Sequence, residues 1–332
     1  MMDSRYAVSP LFGLCFACGF CLAFIGPTSH AQSYPTKPVR LVVPFSTGGG
    51  TDVLGRLVAH KLTAALGQQV IVENRPGAAG RIGAEFVARA PADGYTLLMA
   101  TTTVLMTAPA LFPKLPYKSP DDFAPISSVA SGTYILVVHP SVPANSVKQL
   151  IALAKRKPGA LNFASSGPGD TNHLSAELFQ AQAGIKMVHV PYKGAGPGTL
   201  SVVIGETDLT FSNILPAVPP IRAKRLRPLG ISTLQRSAIL PDVPTIAESG
   251  LPGFEVRTLY ALLAPAGTPA SIVQRLNQAV VRGMQESDTK AQLLKRGSEV
   301  IVSSPQELEK TIVSEIQKWA KIIKQAGIKP PK

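Results

Sequence analysis

Three glycine-rich segments have the residue types and spacing of anion-binding loops. The first glycine loop is 44–52 (PFSTGGGTD), the second is 164–172 (ASSGPGDTN) and the third is 191–199 (PYKGAGPGT). Each follows a predicted apolar strand and precedes a predicted helix. Glycine lets the backbone approach a ligand closely, and the free N–H groups at a helix start attract an anion. Because α/β sheets bind ligands at the carboxyl ends of their strands, the three loops predict a site for one or more small anions.

The familiar nucleotide motifs are missing from these loops. Gly50 is followed by Thr51 and Asp52, not by Lys and Ser/Thr, which argues against a nucleoside triphosphatase. A dinucleotide-binding motif needs a third glycine at position 53, where the chain has Val53. A single glycine turn before a helix is also a common structural feature. The recurrence of such turns beside Ser and Thr hydroxyls is therefore what favours a binding role.

Catalytic and metal-binding patterns are sparse. Ser165, Ser166, Asp170 and His173 lie close together and suggest a hydrolase, but they do not form Gly-x-Ser-x-Gly, and triads usually combine distant segments. Asp170 is more simply a helix N-cap, and His173 is expected to point at solvent or at a neighbouring carbonyl. The histidines after residue 31 lack metal-ligand spacing, so we predict neither a metal nor a cofactor. These histidines are His60, His139, His173 and His189.

Composition narrows the class of protein. The 332 residues include 33 Lys+Arg and 20 Asp+Glu, a formal charge of +13 that suggests an anionic partner. The three cysteines are Cys15, Cys18 and Cys21, so the chain beyond them has no thiol. This excludes a disulfide framework, a cysteine-ligated zinc site, an iron–sulfur cluster and a cysteine nucleophile there.

The N-terminus has the pattern of a secretory signal peptide. Arg5 precedes an uncharged apolar run at 11–25, and Ser29 and Ala31 supply the small residues before a cleavage site. We predict that residues 1–31 are removed after Ala31; the alternative is an uncleaved anchor. Export argues against nucleic acid as the partner. The remaining chain has the length of about two domains.

Apolar strands and helical patterns alternate along the rest of the chain. This alternation predicts an α/β fold with largely parallel sheets. The C-terminal region ends in two amphipathic helices, one starting at Pro269 and one after Ser304. Trp319 lies on the apolar stripe of the second helix, which favours core packing over ligand stacking. The predicted strands are 39–44, 69–72, 94–99, 135–138, 161–164, 187–190, 209–211, 228–231 and 260–264, and the other predicted helices are 51–65, 147–155, 171–183 and 199–204.

A set of motifs spread from residue 34 to the C-terminal region resembles the Bug/TctC family, the extracytoplasmic binding components of tripartite tricarboxylate transporters. The order and spacing of the motifs fit the family, but they do not specify a ligand. The motifs are 34–40 (YPTKPVR), 44–45 (PF), 48–52 (GGGTD), 72–78 (VENRPGA), 90–95 (APADGY), 165–167 (SSG), 173–174 (HL), 190–194 (VPYKG) and 262–269 (LLAPAGTP).

The resemblance implies a two-lobed periplasmic-binding-protein fold (type II-like) with a ligand cleft between the lobes. Lobe 1 would comprise 32–132 plus 259–332, and lobe 2 would comprise 133–258. The implied function is that of a monomeric periplasmic protein which captures a small carboxylate and delivers it to the membrane subunits of the transporter. The implied ligand-binding residues are Phe45, Ser46, Thr47, Gly48, Gly49, Thr51, Asp52, Ser165, Ser166, Gly167, Thr171, Asn213 and Tyr260.

The roles of Asp170 and Tyr260 each have two possible interpretations, and two other functions also fit the sequence. A carboxylate at Asp170 would repel an anion, so either it points away as a cap or the ligand carries a cationic group. The Tyr260 hydroxyl either bonds the ligand or the ring only lines the cleft wall. The alternative functions are a small-acid hydrolase or isomerase that uses the same cleft, and a ligand-sensing partner of a membrane receptor.

Overall fold

The computed structural model describes residues 1–2, 7, 34–295, 297–325 and 327–330. The predicted signal peptide lies almost wholly outside the described residues. Within them, no helix is both long and apolar enough to cross a membrane.

Strands and helices alternate through most of the described chain. A 3-10 turn at Ala78–Gly80 and a π-helical segment at Thr103–Thr107 add to them. The strands are β1 Val39–Val43, β2 Val70–Asn74, β3 Thr96–Thr101, β4 Phe123–Val138, β5 Asn162–Ser165, β6 Val188–Pro191, β7 Leu209–Asn213, β8 Arg227–Ile231, β9 Arg257–Pro265 and β10 Ser298–Val300. The helices are α1 Gly50–Leu66, α2 Arg81–Ala88, α3 Ala108–Leu111, α4 Val147–Arg156, α5 Thr171–Ala183, α6 Ala195–Val203, α7 Ile214–Arg222, α8 Ala270–Gln285, α9 Ser287–Leu294 and α10 Pro305–Gln325.

Strand β4 links two sheets. Its first part, Phe123 to Thr133, pairs with β9 in a sheet that continues through β3, β1 and β2, and β10 also pairs with β4. Its last part, Tyr134 to Val138, pairs with β7 and β8 in a second sheet that continues through β5 and β6. We call the parts of the chain built on these sheets the first and second lobes. The mixed α/β, two-lobed architecture agrees with the prediction.

The expectation of largely parallel sheets is wrong at the centre of the fold. The outer pairs β1–β2, β1–β3, β5–β6 and β5–β7 are parallel, as β-α-β connections require. Strands β4 and β9 instead pair antiparallel with each other and with their inner neighbours. These two strands run between the lobes and so are not built by local β-α-β units.

Apolar periodicity and capping explain the helices that flank the sheets. Leu54, Val58 and Leu62 form one buried stripe of α1, and the helix ends at Gly67 in a left-handed conformation. Ser304 caps α10, since its hydroxyl accepts from the Glu307 N–H while the Glu307 carboxylate accepts from the Ser304 N–H. Pro269 precedes α8 as its N-cap and is not its first residue.

Trp319 lies on the buried face of α10. Its side chain is in the hydrophobic core with Leu308, Ile312 and Ile323. The structure therefore confirms that this residue packs the core.

Candidate functional site

Four helices begin at one cavity between the lobes. Helix α1 comes from the first lobe, and helices α5, α6 and α7 come from the second. Each follows the carboxyl end of a strand, respectively β1, β5, β6 and β7. The first N–H groups of a helix have no intrahelical acceptor and carry its positive partial charge. The cavity therefore has four sources of positive potential.

The walls of this cavity are polar, and among the lining residues of the described chain their one carboxyl group is that of Asp170. No Lys, Arg or His is among the lining residues of the described chain. The cavity has a volume of about 20 Å³, room for roughly one water molecule, so a ligand of several carbon atoms requires the lobes to separate for entry. The lining residues are Phe45, Gly49, Gly50, Thr51, Thr101, Thr103, Tyr134, Ser166, Asp170, Ala195, Asn213, Thr258 and Tyr260.

Asp52 does not line the cavity, but its hydrogen bonds fix the conformation of the first glycine loop. Its carboxylate accepts from the Gly48 N–H at 3.0 Å and from the Asn74 amide at 2.9 Å, and it pairs with Arg56 at 3.0 Å. Asn74 also donates to the Phe45 carbonyl, so the loop is tied at both ends. Burial favours a raised pKa for Asp52, but the hydrogen bonds and the Arg56 charge outweigh it and lower that pKa.

The variant Asp52→Ala is expected to lower the free energy of unfolding by roughly 2 to 3 kcal/mol, because it removes several charge-assisted hydrogen bonds at once. Urea unfolding of the full chain measures the change. The exposed Asp121 supplies the control Asp121→Ala, which removes the same charge. Equal unfolding midpoints for the two variants would contradict a bracing role for Asp52.

The second glycine loop is anchored to two histidines. Ser165 is fully buried, and its hydroxyl accepts from the Gly167 N–H at 3.0 Å and bonds His189 Nε2 at 2.5 Å. The Gly169 N–H donates to His173 Nδ1 at 3.3 Å. Ser165 does not line the cavity, so this Ser–His pair holds the loop and does not present a nucleophile to the cleft.

The two imidazoles are packed as neutral rings. Their centroids are 4.2 Å apart, and both rings stack on Phe163. Burial, with His189 beside it, lowers the pKa of His173 to about 3, and burial lowers that of His189 to about 4. The expectation that His173 faces solvent or a carbonyl is wrong, because this side of the first turn packs against His189 and Phe163.

Asp170 is the N-cap residue of α5 by position, but its side chain crosses to the first lobe. The Thr103 hydroxyl donates to Asp170 Oδ1 at 2.6 Å, and the carboxyl is buried. Helix α5 shows no side-chain cap hydrogen bond. Burial raises the pKa of Asp170, while hydrogen bonds from Thr103, Ser166 and Thr171 partly offset that rise.

Tyr260 and Asn213 form another contact between the lobes. The Tyr260 hydroxyl donates to Asn213 Oδ1 at 3.0 Å, and both residues line the cavity. The side chain of Tyr260 is 1% exposed. Its hydroxyl therefore has a protein partner, and its ring forms part of the cleft wall.

The third glycine loop closes directly onto the first. A Cβ placed on Gly194 would lie 2.2 Å from Ser46 Oγ, and Gly196 approaches the Thr47 carbonyl. The Ser46 and Thr101 hydroxyl oxygens are buried and have no hydrogen-bond partner among the described residues. Thr101 lines the cavity and is 4% exposed, so it offers an unused polar atom to a ligand.

The structure separates the thirteen candidates into two groups. Phe45, Gly49, Thr51, Ser166, Asn213 and Tyr260 line the cavity. The other seven are on the same loops but not among its lining residues: Ser46, Thr47, Gly48, Asp52, Ser165, Gly167 and Thr171.

Several residues that line the cavity were not among the binding residues predicted from the sequence. Tyr134 and Thr258 lie on β4 and β9, where the chain passes between the lobes, and Thr101 and Thr103 follow from the end of β3. Gly50 and Ala195 belonged to glycine loops already singled out, so the loop signal could have included them. No motif marks the Thr and Tyr positions.

Two lobes that meet at a cavity ringed by helix N-termini define a solute-binding protein. The chain matches the family model TctC, "Tripartite tricarboxylate transporter family receptor", over residues 54–328. It therefore belongs to the TctC family. A curated relative, Protein BugT of Bordetella pertussis, is 36% identical over 308 residues, which cover 92% of this chain and 94% of the relative.

Solved structures agree with this assignment. R. palustris Rpa4515 with adipate has a TM-score of 0.87 and 38% identity, covering 90% of this chain and 100% of that one. MatC (Rpa3494) from Rhodopseudomonas palustris with bound malate has a TM-score of 0.84 and 33% identity, with 87% and 100% coverage. Periplasmic binding protein BugD has a TM-score of 0.86 and 31% identity, with 89% and 99% coverage. The family is one of transporter receptors, and BugD is a periplasmic binding protein. This assignment to solute-binding proteins decides against the hydrolase or isomerase.

Proposed function

We propose that this protein captures a small carboxylate in the cavity between its lobes and delivers it to the membrane subunits of a tripartite transporter. The convergence of four helix N-termini on one cavity carries the proposal. Backbone N–H groups of α1, in the first lobe, and of α5 to α7, in the second, would hold the carboxylate. The adipate and malate bound by two relatives support this ligand class.

Ligand capture follows from the geometry of closure. A carboxylate that bridges N–H groups of both lobes has more partners when the lobes touch, so it binds the closed form better and shifts the population towards it. With Thr103 in contact with Asp170 and Tyr260 in contact with Asn213, the cavity has room for roughly one water molecule, so a bound acid would hold the lobes somewhat farther apart than they are here. A transporter subunit can thereby distinguish the loaded protein from the empty one.

The lobe boundaries belong to the same proposal. We place lobe 1 at 32–132 plus 259–332 and lobe 2 at 133–258. Support comes from β4, whose pairing changes from β9 to β7 between Thr133 and Tyr134. The signal peptide at 1–31, the periplasmic location of this chain and a monomeric state remain expectations from the sequence.

The direct test is a thermal-shift and calorimetry panel of mono-, di- and tricarboxylates, with the neutral amide of each acid as its matched control. We expect saturable binding of at least one acid, no binding of its amide, and recovery of the ligand unchanged. At a ligand concentration of 100 Kd, binding stabilises the folded state by about 2.7 kcal/mol. Equal binding of an acid and its amide would contradict anion recognition, and turnover would point to an enzyme.

A further inference from the structure

Asp170 is unusual among the residues that face the cavity. It is the single Asp, Glu, Lys, Arg or His among the lining residues of the described chain, and it is 4% exposed. Its neighbours in the cavity are hydroxyl groups, backbone, aromatic rings and the Asn213 amide. A carboxylate at this position places negative charge where the four helix N-termini favour an anion.

Asp170, Thr103 and Thr171 form one hydrogen-bonded group across the two lobes. The Thr171 N–H donates to Thr103 Oγ1 at 3.0 Å, so this oxygen serves as an acceptor. The Thr103 hydroxyl proton goes to Asp170 Oδ1 at 2.6 Å. When Asp170 is ionised, the Thr103 proton is used in this way, and the Thr171 hydroxyl, 2.9 Å from Thr103 Oγ1, donates to that oxygen. In its ionised form, Asp170 is therefore a hydrogen-bond acceptor at the cavity wall.

Such an acceptor discriminates between ligands. A second carboxylate of a ligand would bring two negative charges together in a small, poorly solvated space, where like-charge repulsion is strong. A protonated nitrogen beside Asp170 instead donates hydrogen bonds and neutralises its charge. It also offsets the desolvation that raises the Asp170 pKa. The helix N-termini remain free to hold the ligand carboxylate.

We propose that Asp170 binds a protonated nitrogen of the ligand, so that the cleft selects carboxylates that also carry an ammonium group. This inference rests on the proposed function and adds a specificity-determining residue to it. Thr103 positions the Asp170 carboxylate from the opposite lobe, so the ammonium contact is complete only when the lobes have closed.

The test is calorimetry at pH 7.5 on pairs of acids that differ by one ammonium group, such as aspartate with succinate and glutamate with glutarate. In each pair that binds, wild-type protein is expected to prefer the amino member at least tenfold. The variant Asp170→Asn keeps an oxygen for the Thr103 hydroxyl but loses the charge, and should reduce that preference at least tenfold. The exposed Asp242 provides the control Asp242→Asn, which should keep the wild-type preference.

Three other outcomes would overturn the inference. If wild type and Asp170→Asn both bind the amino and the non-amino acid of a pair equally well, Asp170 does not select an ammonium group. The proposed capture of a carboxylate would be unaffected by that result. A wild-type affinity for succinate that falls tenfold from pH 5 to pH 8, without such a fall in Asp170→Asn, would make Asp170 a protonated donor to an anion. Absence of binding by every acid, including the wider carboxylate panel, would overturn the proposed function and this inference together.

Discussion

Gly194→Ala is expected to weaken ligand binding roughly ten- to a hundredfold while both lobes stay folded. The added Cβ would lie 2.2 Å from Ser46 Oγ and 3.4 Å from Ser46 N, which belong to the opposite lobe. Overpacking of this kind typically costs about 1 to 3 kcal/mol, and each 1.4 kcal/mol is about a tenfold change in affinity. The cost arises only where the lobes meet, so it opposes closure. Calorimetry with whichever acid binds wild type measures the loss.

A matched variant separates this clash from backbone strain. Gly194 has φ +131°, so alanine there is strained even without a contact. Gly250 has a similar φ of +117°, and a Cβ on it would lie 3.5 Å from Lys148 Cε, an ordinary contact. Gly250→Ala should therefore leave affinity unchanged. Ser46→Gly, added to Gly194→Ala, should restore part of the binding; no restoration would mean that the loss comes from strain within the second lobe.

The free energy of unfolding is expected to fall steeply as the pH drops from 6.5 towards 4, because His173 and His189 stay neutral in the folded chain. Their folded pKa values are about 3 and about 4, against 6.5 in the unfolded chain. In this window the unfolded chain binds more protons, so stability is complete above pH 6.5 and is lost on acidification. The loss approaches about 1.4 kcal/mol per pH unit for His173 and is smaller for the partly solvated His189.

A double variant isolates the two imidazoles from the carboxyl groups that titrate nearby. His173→Asn can keep an acceptor for the Gly169 N–H, and His189→Gln can keep one for the Ser165 hydroxyl, but neither side chain titrates. Thermal unfolding between pH 4 and 8 should show a shallower slope for this variant than for wild type. His60→Gln, on the exposed surface of α1, is the control. Parallel slopes for all three proteins would refute the role of the buried pair.

The sequence could predict the loops because their signals are local. Glycine turns between an apolar strand and a helix mark α1, α5 and α6, and the predicted span of α5, 171–183, is the observed one. The orientation of His173 could not be predicted, because it depends on His189 of β6, which only the folded sheet brings beside it. Thr103 lies in a π-helical segment without helical periodicity. Tyr134 and Thr258 face the cavity because two strands cross between the lobes, a property of the topology and not of any motif.

The N–H groups of the four converging helices also affect how the binding site responds to substitutions of its lining residues. Every residue except proline contributes the same peptide N–H, whatever its side chain. A substitution at a lining position such as Thr51 or Ala195 therefore alters the shape and polarity of the wall but leaves the donor in place. If these N–H groups hold the carboxylate as proposed, single substitutions in the wall can change which acid fits while the donors stay in place.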